Sequence, residues 1–190
     1  MYEKYSVLMS VYYKENPDFL NASIESMLNQ TVKPGEFVLV CDGPLTEDLD
    51  EVIEKYRAEN GELMKIIRLE RNGGLGRALN KGLEYCSYEL VARMDSDDIS
   101  RPDRCERQLK CFKAMNMDIV SGTVEEFEAD IRKVTSRKLL PEDNDEIIKY
   151  SRCRNPFNHP CVMFRKSSVE AVHGYENYPY FEDYHLWVSF

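Results

Sequence analysis

The sequence predicts an α/β fold: a mostly parallel sheet with helices on both faces. Three observations carry that prediction. Apolar, β-rich runs alternate four times with segments of helical periodicity before residue 115, the pattern of parallel strands joined by crossover helices. Polar or glycine-rich stretches follow the ends of those runs, where open α/β sheets bind their ligands. The 190 residues, 43% hydrophobic and 31% charged, suffice for one domain with a real core.

Ser6 to Tyr12 is apolar and forms the first strand. Asn16-Pro17 supplies an N-cap with proline in the first helical position. Phe19, Leu20, Ile24, Met27 and Leu28 follow at helical spacing, up to Pro34-Gly35. Phe37 to Cys41 is a short continuous apolar strand closed by Asp42-Gly43-Pro44, and Leu49, Val52, Ile53 and Tyr56 mark a second helix. Lys65 to Leu69 is the third strand. Asn72-Gly73-Gly74-Leu75-Gly76 is a turn that opens a third helix, with Ala78, Leu79, Gly82 and Leu83 inward. Leu90 to Met94 is the fourth strand. Ser100 is expected to cap the next helix, with Pro102 in its first turn and Leu109 and Phe112 inward.

After residue 115 the pattern changes to α+β. One or two strands are expected within Ile119 to Phe127, a short helix over Pro141 to Tyr150, a strand at Cys161 to Arg165 and a helical turn at Ser167 to Val172. Residues 184 to 190 read as the start of an amphipathic helix. The expectation is a single domain over 1–190, truncated at its C-terminus.

The bulk properties narrow the function. A net charge of -9 argues against a sequence-independent grip on nucleic acid. No apolar run is long enough to span a bilayer, and Met1-Tyr2-Glu3-Lys4-Tyr5 lacks the apolar core of a signal peptide. The six cysteines contain no Cys-x-x-Cys pair and histidine is scarce, so a zinc site is not expected. A reducing, cytoplasmic location follows as the expectation.

The chemistry concentrates in Met94-Asp95-Ser96-Asp97-Asp98, three carboxylates within four residues after an apolar run. Like charges this close raise one another's pKa unless a cation neutralises them, and magnesium, manganese and calcium prefer carboxylate oxygens. The competing reading is a solvated turn with capping aspartates. Tyr12-Tyr13, Asp42, the Asn72 turn and Asp95 all follow strand ends and would converge on one edge, which favours the metal site. Asp42 before Gly-Pro is also a good turn former. The glycine turn could hold a phosphate at a helix N-terminus or merely supply a left-handed backbone. Neither a Gly-x-Gly-x-x-Gly fingerprint after strand one nor a Gly-Lys-Ser/Thr loop is present, so a nucleotide held through a metal fits best. Glu182-Asp183 either complements a helix dipole or supplies a general base, and spacing alone does not place Asp183 near Asp97.

Ser6-Val7-Leu8-Met9-Ser10-Val11-Tyr12, Ser26-Met27-Leu28-Asn29-Gln30-Thr31, Val40-Cys41-Asp42-Gly43, Asn72-Gly73-Gly74-Leu75, Met94-Asp95-Ser96-Asp97-Asp98 and Glu182-Asp183 stand in this order along the chain. The ordered set resembles family 2 glycosyltransferases of the GT-A fold, from residue 5 to 190. The resemblance implies a Rossmann-like, mostly parallel sheet. Residues 1–115 would form the nucleotide-sugar half and 116–190 a smaller α+β acceptor-side half.

It also implies an inverting transfer of a sugar from a UDP-sugar to a hydroxyl of a glycan or lipid-linked acceptor, in bacterial surface polysaccharide synthesis. Val11 and Tyr12 would border the base and ribose, and Asp42 would accept from the uracil imide. Asp95 would reach the ribose or the metal's water shell, and Asp97 would coordinate Mn2+ or Mg2+. Asp98 would assist or cap the turn. Asp183 would be the general base with Glu182 beside it, facing the acceptor. His159, in Asn155-Pro156-Phe157-Asn158-His159-Pro160, matches a region lining the site in relatives, although it could equally satisfy loop backbone. Trp187 could wall the acceptor site or lie in the core. Association with the inner face of a membrane would be peripheral.

Two rival functions remain at this level. One is a non-catalytic nucleotide-sugar-binding domain. The other is a sugar nucleotidyltransferase, which would carry a glycine- and basic-rich loop after strand one, unlike Tyr13-Lys14-Glu15-Asn16.

Overall fold

The computed structural model describes residues 2–128 and 130–190. Strands β1 (Tyr5–Val11), β2 (Glu36–Cys41), β3 (Met64–Arg68) and β4 (Leu90–Met94) alternate with helices α1 (Pro17–Leu28), α2 (Glu47–Asn60) and α3 (Leu75–Tyr85). Helix α4 (Arg104–Ala114) follows. The remainder holds β5 (Ile119–Val120), β6 (Val124–Phe127), β7 (Val134–Lys138), α5 (Asn144–Ser151), β8 (Met163–Arg165), α6 (Lys166–Ala171) and α7 (Glu182–Val188). The central sheet runs β3-β2-β1-β4-β8-β5, and β6 and β7 form a separate hairpin. The first four strands are mutually parallel, whereas β8 is antiparallel to both β4 and β5.

The two faces of β1 explain the two helical layers. Tyr5, Val7, Met9 and Val11 point into a core with Leu20, Ile24 and Met27 of α1, Leu49 and Ile53 of α2, and Leu109 and Phe112 of α4. Leu8 points the other way, into a core with Val38 and Val40 of β2, Ala78 and Leu79 of α3, and Val169, Leu186 and Trp187. With both faces covered, all of β2 is buried, which is why it reads as an unbroken apolar run. Helix α1 begins as its sequence predicts, with Asn16 accepting from the Asp18 N–H and proline in the first turn.

Two expectations need correction. Helix α4 begins at Arg104 after Asp103, so Ser100 does not cap it and Pro102 lies outside it. Ser100 is buried instead. Its N–H donates to Ser26 Oγ at 3.0 Å, and its Oγ accepts from Gln30 Nε2 at 3.2 Å. With its polar atoms engaged by α1 and by Gln30 just beyond it, it binds the acidic loop to that end of the helix. Strand β7 was not anticipated, because every residue of it is exposed and no apolar alternation marks it.

The edge of the sheet where the strands begin is closed by a polar clamp. The buried Glu36 carboxylate receives Ser6 Oγ at 2.6 Å, Lys65 Nζ at 2.5 Å and the Ser87 N–H. Burial alone would raise its pKa, but Lys65, Ser6 and Ser87 together hold it below the usual carboxylate range. All six cysteines are free thiols. Among the described residues, no helix is long and apolar enough to cross a membrane.

Candidate active site

Val11 pairs in register with Cys41, Cys41 with Arg68, and Met9 with Met94. Four parallel strands therefore release Tyr12, Asp42, the 69–72 segment and Asp95 on one edge. Carboxylate oxygens of Asp95, Asp97 and Asp98 lie there within 4.8 Å of one another.

The acidic loop is held in place from several sides. Ser23 Oγ donates to the Asp95 carbonyl at 2.6 Å, and Ser96 Oγ donates to Glu15 Oε2 at 2.5 Å. Burial and the neighbouring Asp95 and Asp97 push Asp98 up to about 6. Burial, then Asp95 and Glu15, raise Asp97 as well. Three hard oxygen donors this close, repelling one another, fit a divalent cation such as Mn2+ or Mg2+.

Asp95 also pairs with Arg93, whose side chain is fully buried. Burial works against the Arg93 charge, and the attraction of Asp95 outweighs it and keeps the guanidinium charged. Its Nε and Nη1 have no hydrogen-bond partner among the described residues.

Asp42 is buried between two turns. Its Oδ1 accepts from the Gly73 N–H at 2.8 Å and its Oδ2 from the Gly74 N–H at 3.0 Å, while Asn72 Nδ2 donates to its carbonyl at 3.2 Å. The anion met by the Gly73 and Gly74 amides at the start of α3 is thus the protein's own carboxylate. Gly43 makes this approach possible. Its φ is +89°, and a Cβ there would stand 2.6 Å from the Asn72 nitrogen.

The second carboxylate pair opens α7. Asp183 Oδ2 accepts from Asn155 Nδ2 at 2.6 Å and Oδ1 from the Tyr184 N–H at 2.7 Å. Glu182 Oε2 is buried and has no hydrogen-bond partner among the described residues. The start of α7 rests on the start of α3: a Cβ at Gly76 would stand 3.3 Å from Tyr175 Cβ and 3.4 Å from Glu182 Cβ. The Tyr175 hydroxyl bonds His159 Nε2 at 3.0 Å. Burial raises its pKa, Arg93 opposes the rise, and Asp183, Asp95 and Glu182 add to it. Tyr175 and Glu182 thus sit side by side against the start of α3, a proximity that spacing in the sequence could not reveal.

The structure refines other sequence-based roles. The Val11 side chain is 1% exposed and sits in the core, and its carbonyl accepts from the Asp42 N–H at 2.8 Å. Tyr12 is 42% exposed and free to meet a ligand. His159 is buried, and burial followed by the Arg93 charge lowers its pKa well below the usual range; it backs Tyr175 and does not satisfy loop backbone through its ring. Trp187 is 4% exposed and packs among Phe157, His159, Phe164 and Tyr175. It lies in the core, the second of the two readings its sequence position allowed.

Sequence reasoning passed over Arg93, Glu15, Asn155 and Tyr175. Only Arg93 carried a local signal, as a lone cation in an apolar strand on the same face parity as Asp95.

A mostly parallel central sheet flanked by helices is the GT-A architecture, and solved glycosyltransferases share this fold. A mannosyltransferase from Pyrobaculum calidifontis in complex with GDP-Man and Mn2+ superposes with a TM-score of 0.72 at 15% identity, covering 98% of this chain and 51% of that one. Residues 1–349 of S. aureus TarS in complex with UDP give a TM-score of 0.71 at 22% identity, covering 96% and 53%.

The family model for Glycosyl transferase family 2 matches residues 6–172, and the chain belongs to that family. It is 43% identical to the amylovoran biosynthesis glycosyltransferase AmsE of Erwinia amylovora, over 97% of this chain and 68% of the relative. It is 44% identical to a UDP-Gal:alpha-D-GlcNAc-diphosphoundecaprenol beta-1,3-galactosyltransferase of Escherichia coli, over 98% and 67%. The chain thus spans about two thirds of these relatives and about half of the solved structures.

Proposed function

We propose that this chain is the donor-binding and catalytic part of an inverting glycosyltransferase. It moves a sugar from a UDP-sugar to an acceptor hydroxyl in the assembly of a bacterial surface polysaccharide. The reading is supported by the Asp95-Asp97-Asp98 carboxylates clustered beyond β4 and by a second pair, Glu182-Asp183, that opens α7 against the start of α3. A sugar transfer needs two functions: stabilisation of a departing diphosphate and removal of a proton from a hydroxyl.

In this reading Asp97, with Asp95 and Asp98, holds Mn2+ or Mg2+. When bound, the cation supplies Lewis-acid stabilisation of the diphosphate leaving group. Tyr12 and the Val11 backbone border the uridine. The glycine amides orient the Asp42 carboxylate, and each of its oxygens retains a lone pair for the uracil imide N–H. Asp183 takes the acceptor proton as the new C–O bond forms and the bond to the diphosphate breaks, its electron pair leaving with the diphosphate. A single displacement with one base and no protein nucleophile inverts the anomeric carbon. Glu182, with a free buried oxygen, faces a substrate hydroxyl. The diphosphoundecaprenol named for the E. coli relative supports a lipid-linked glycan acceptor, and peripheral attachment at the inner membrane face is part of the same proposal.

Calorimetric titration of UDP with and without Mn2+ tests the donor site. The expected result is an affinity at least about tenfold higher with metal, and loss of that dependence in Asp97→Ala. Equal, metal-independent affinity in the two proteins would sink the reading. A panel of UDP-sugars scored by UDP release then identifies the sugar.

A further inference from the structure

We propose that Asn155 is a positioning residue for the reaction, clamping the Asp183 carboxylate in the orientation that receives the acceptor proton. The inference rests on the assignment of Asp183 as the base. Asp183 Oδ1 is held by the adjacent Tyr184 N–H, a bond within its own turn. Its Oδ2 is held from outside that turn by Asn155 Nδ2, at 2.6 Å and 28 positions away in sequence. The amide is itself oriented. Asn155 Oδ1 accepts from the Phe157 N–H at 3.2 Å, which leaves Nδ2 to face the carboxylate.

The segment carrying Asn155 is fastened to α7 at two further points. Tyr184 Oη donates to the Ser151 carbonyl at 2.6 Å, and the Phe157 ring meets Trp187 edge-on with centroids 5.8 Å apart. Helix α7 has seven residues, too few to fix its own first turn. The 151–157 segment therefore sets where its first carboxylates stand. A base must lie within hydrogen-bond reach of the proton it removes, and a loosely held one loses rate through misorientation without weakening donor binding. An amide N–H also suits the ionised carboxylate, to which it makes a charge-assisted bond.

Asn155→Asp and Asn155→Ala test the idea in the whole protein, with Asp183→Asn as reference. The aspartate keeps an acceptor for the Phe157 N–H, removes the donor and sets a second carboxylate against Asp183, whereas the alanine removes the donor without adding charge. Both variants are expected to lose about 10–100-fold in kcat, with the UDP-sugar KM and UDP affinity within about twofold of wild type. Asn155→Ala should add little to the defect of Asp183→Asn, because the two act as one unit. Wild-type kcat in either variant overturns the inference. An equal loss of UDP affinity, or failure of both variants to melt cooperatively, assigns Asn155 to structure alone and also overturns it. If Asp183→Asn itself transfers at the wild-type rate, the base assignment fails. If it is inactive while Asn155→Ala transfers normally, only the role of Asn155 fails.

Discussion

Asp98 shares a span of 4.8 Å with the carboxylates of Asp95 and Asp97, and this crowding costs stability when no cation is present. Its folded-state pKa of about 6 stands above the ordinary 3.8. The charged form is therefore disfavoured in the folded state, the cost is present above pH 6, and it is relieved as pH falls from 6 toward 4. For a half-buried group, solvent screening reduces that cost to about 1–2 kcal/mol. In chelator-treated protein at pH 7.5, Asp98→Asn should raise the melting temperature by a few degrees. The gain should shrink at pH 5 and vanish or reverse with saturating Mn2+. A gain independent of pH and metal would remove Asp98 from the cluster. His159 works in the opposite sense: held neutral in the fold, it costs stability as pH falls below about 6.5 and the unfolded chain takes up a proton. Both proteins retain it, so the comparison cancels it.

At the scale of elements, the two ends of the sheet do different work. The edge where the strands begin carries the Glu36 clamp, which joins β1 through Ser6, β3 through Lys65 and the α3–β4 connection through Ser87. Because folding lowers the Glu36 pKa, its contribution is complete above about 4.5 and is lost as pH falls through the folded value. Glu36→Gln should therefore lower stability at pH 7 by about 1–3 kcal/mol, with a smaller difference in acid. UDP affinity should not change, since the clamp lies at the end of the strands remote from the site. Denaturant melts paired with UDP titration check both parts, and a lost affinity would show the two edges to be coupled. Strands β1, β2 and β4 were legible as buried, largely apolar runs bounded by turn residues, and the half-buried β3 through its Ile66-Ile67 pair. β7 was not, since an exposed hairpin strand needs no apolar pattern. Ser100 misled because a serine before a helix resembles a cap, whereas Ser26 of α1 and Gln30 just beyond that helix satisfy it.

For the molecule as a whole, the two carboxylate groups come from segments far apart in the chain, and α7 is joined to α3 beside Gly76. Donor binding and proton removal should therefore separate on mutation. In the complete enzyme, Asp183→Asn is expected to keep metal-dependent UDP binding and to lose transfer by about 10²–10⁴-fold. Retained transfer would take Asp183 out of the base role, whereas binding with no transfer even in wild type would favour a purely nucleotide-sugar-binding domain.

Local pattern determined the first four strands, the first three helices and the acidic loop after β4, because burial and turn chemistry are written in residues close together. The ordered motifs also pointed to the family. Only the tertiary structure decided that Arg93 pairs with Asp95, that glycine amides orient Asp42, that Trp187 belongs to the core, and that Asn155 holds Asp183. The latter are contacts between residues distant along the chain, and they form only where the fold brings those segments within a few ångströms.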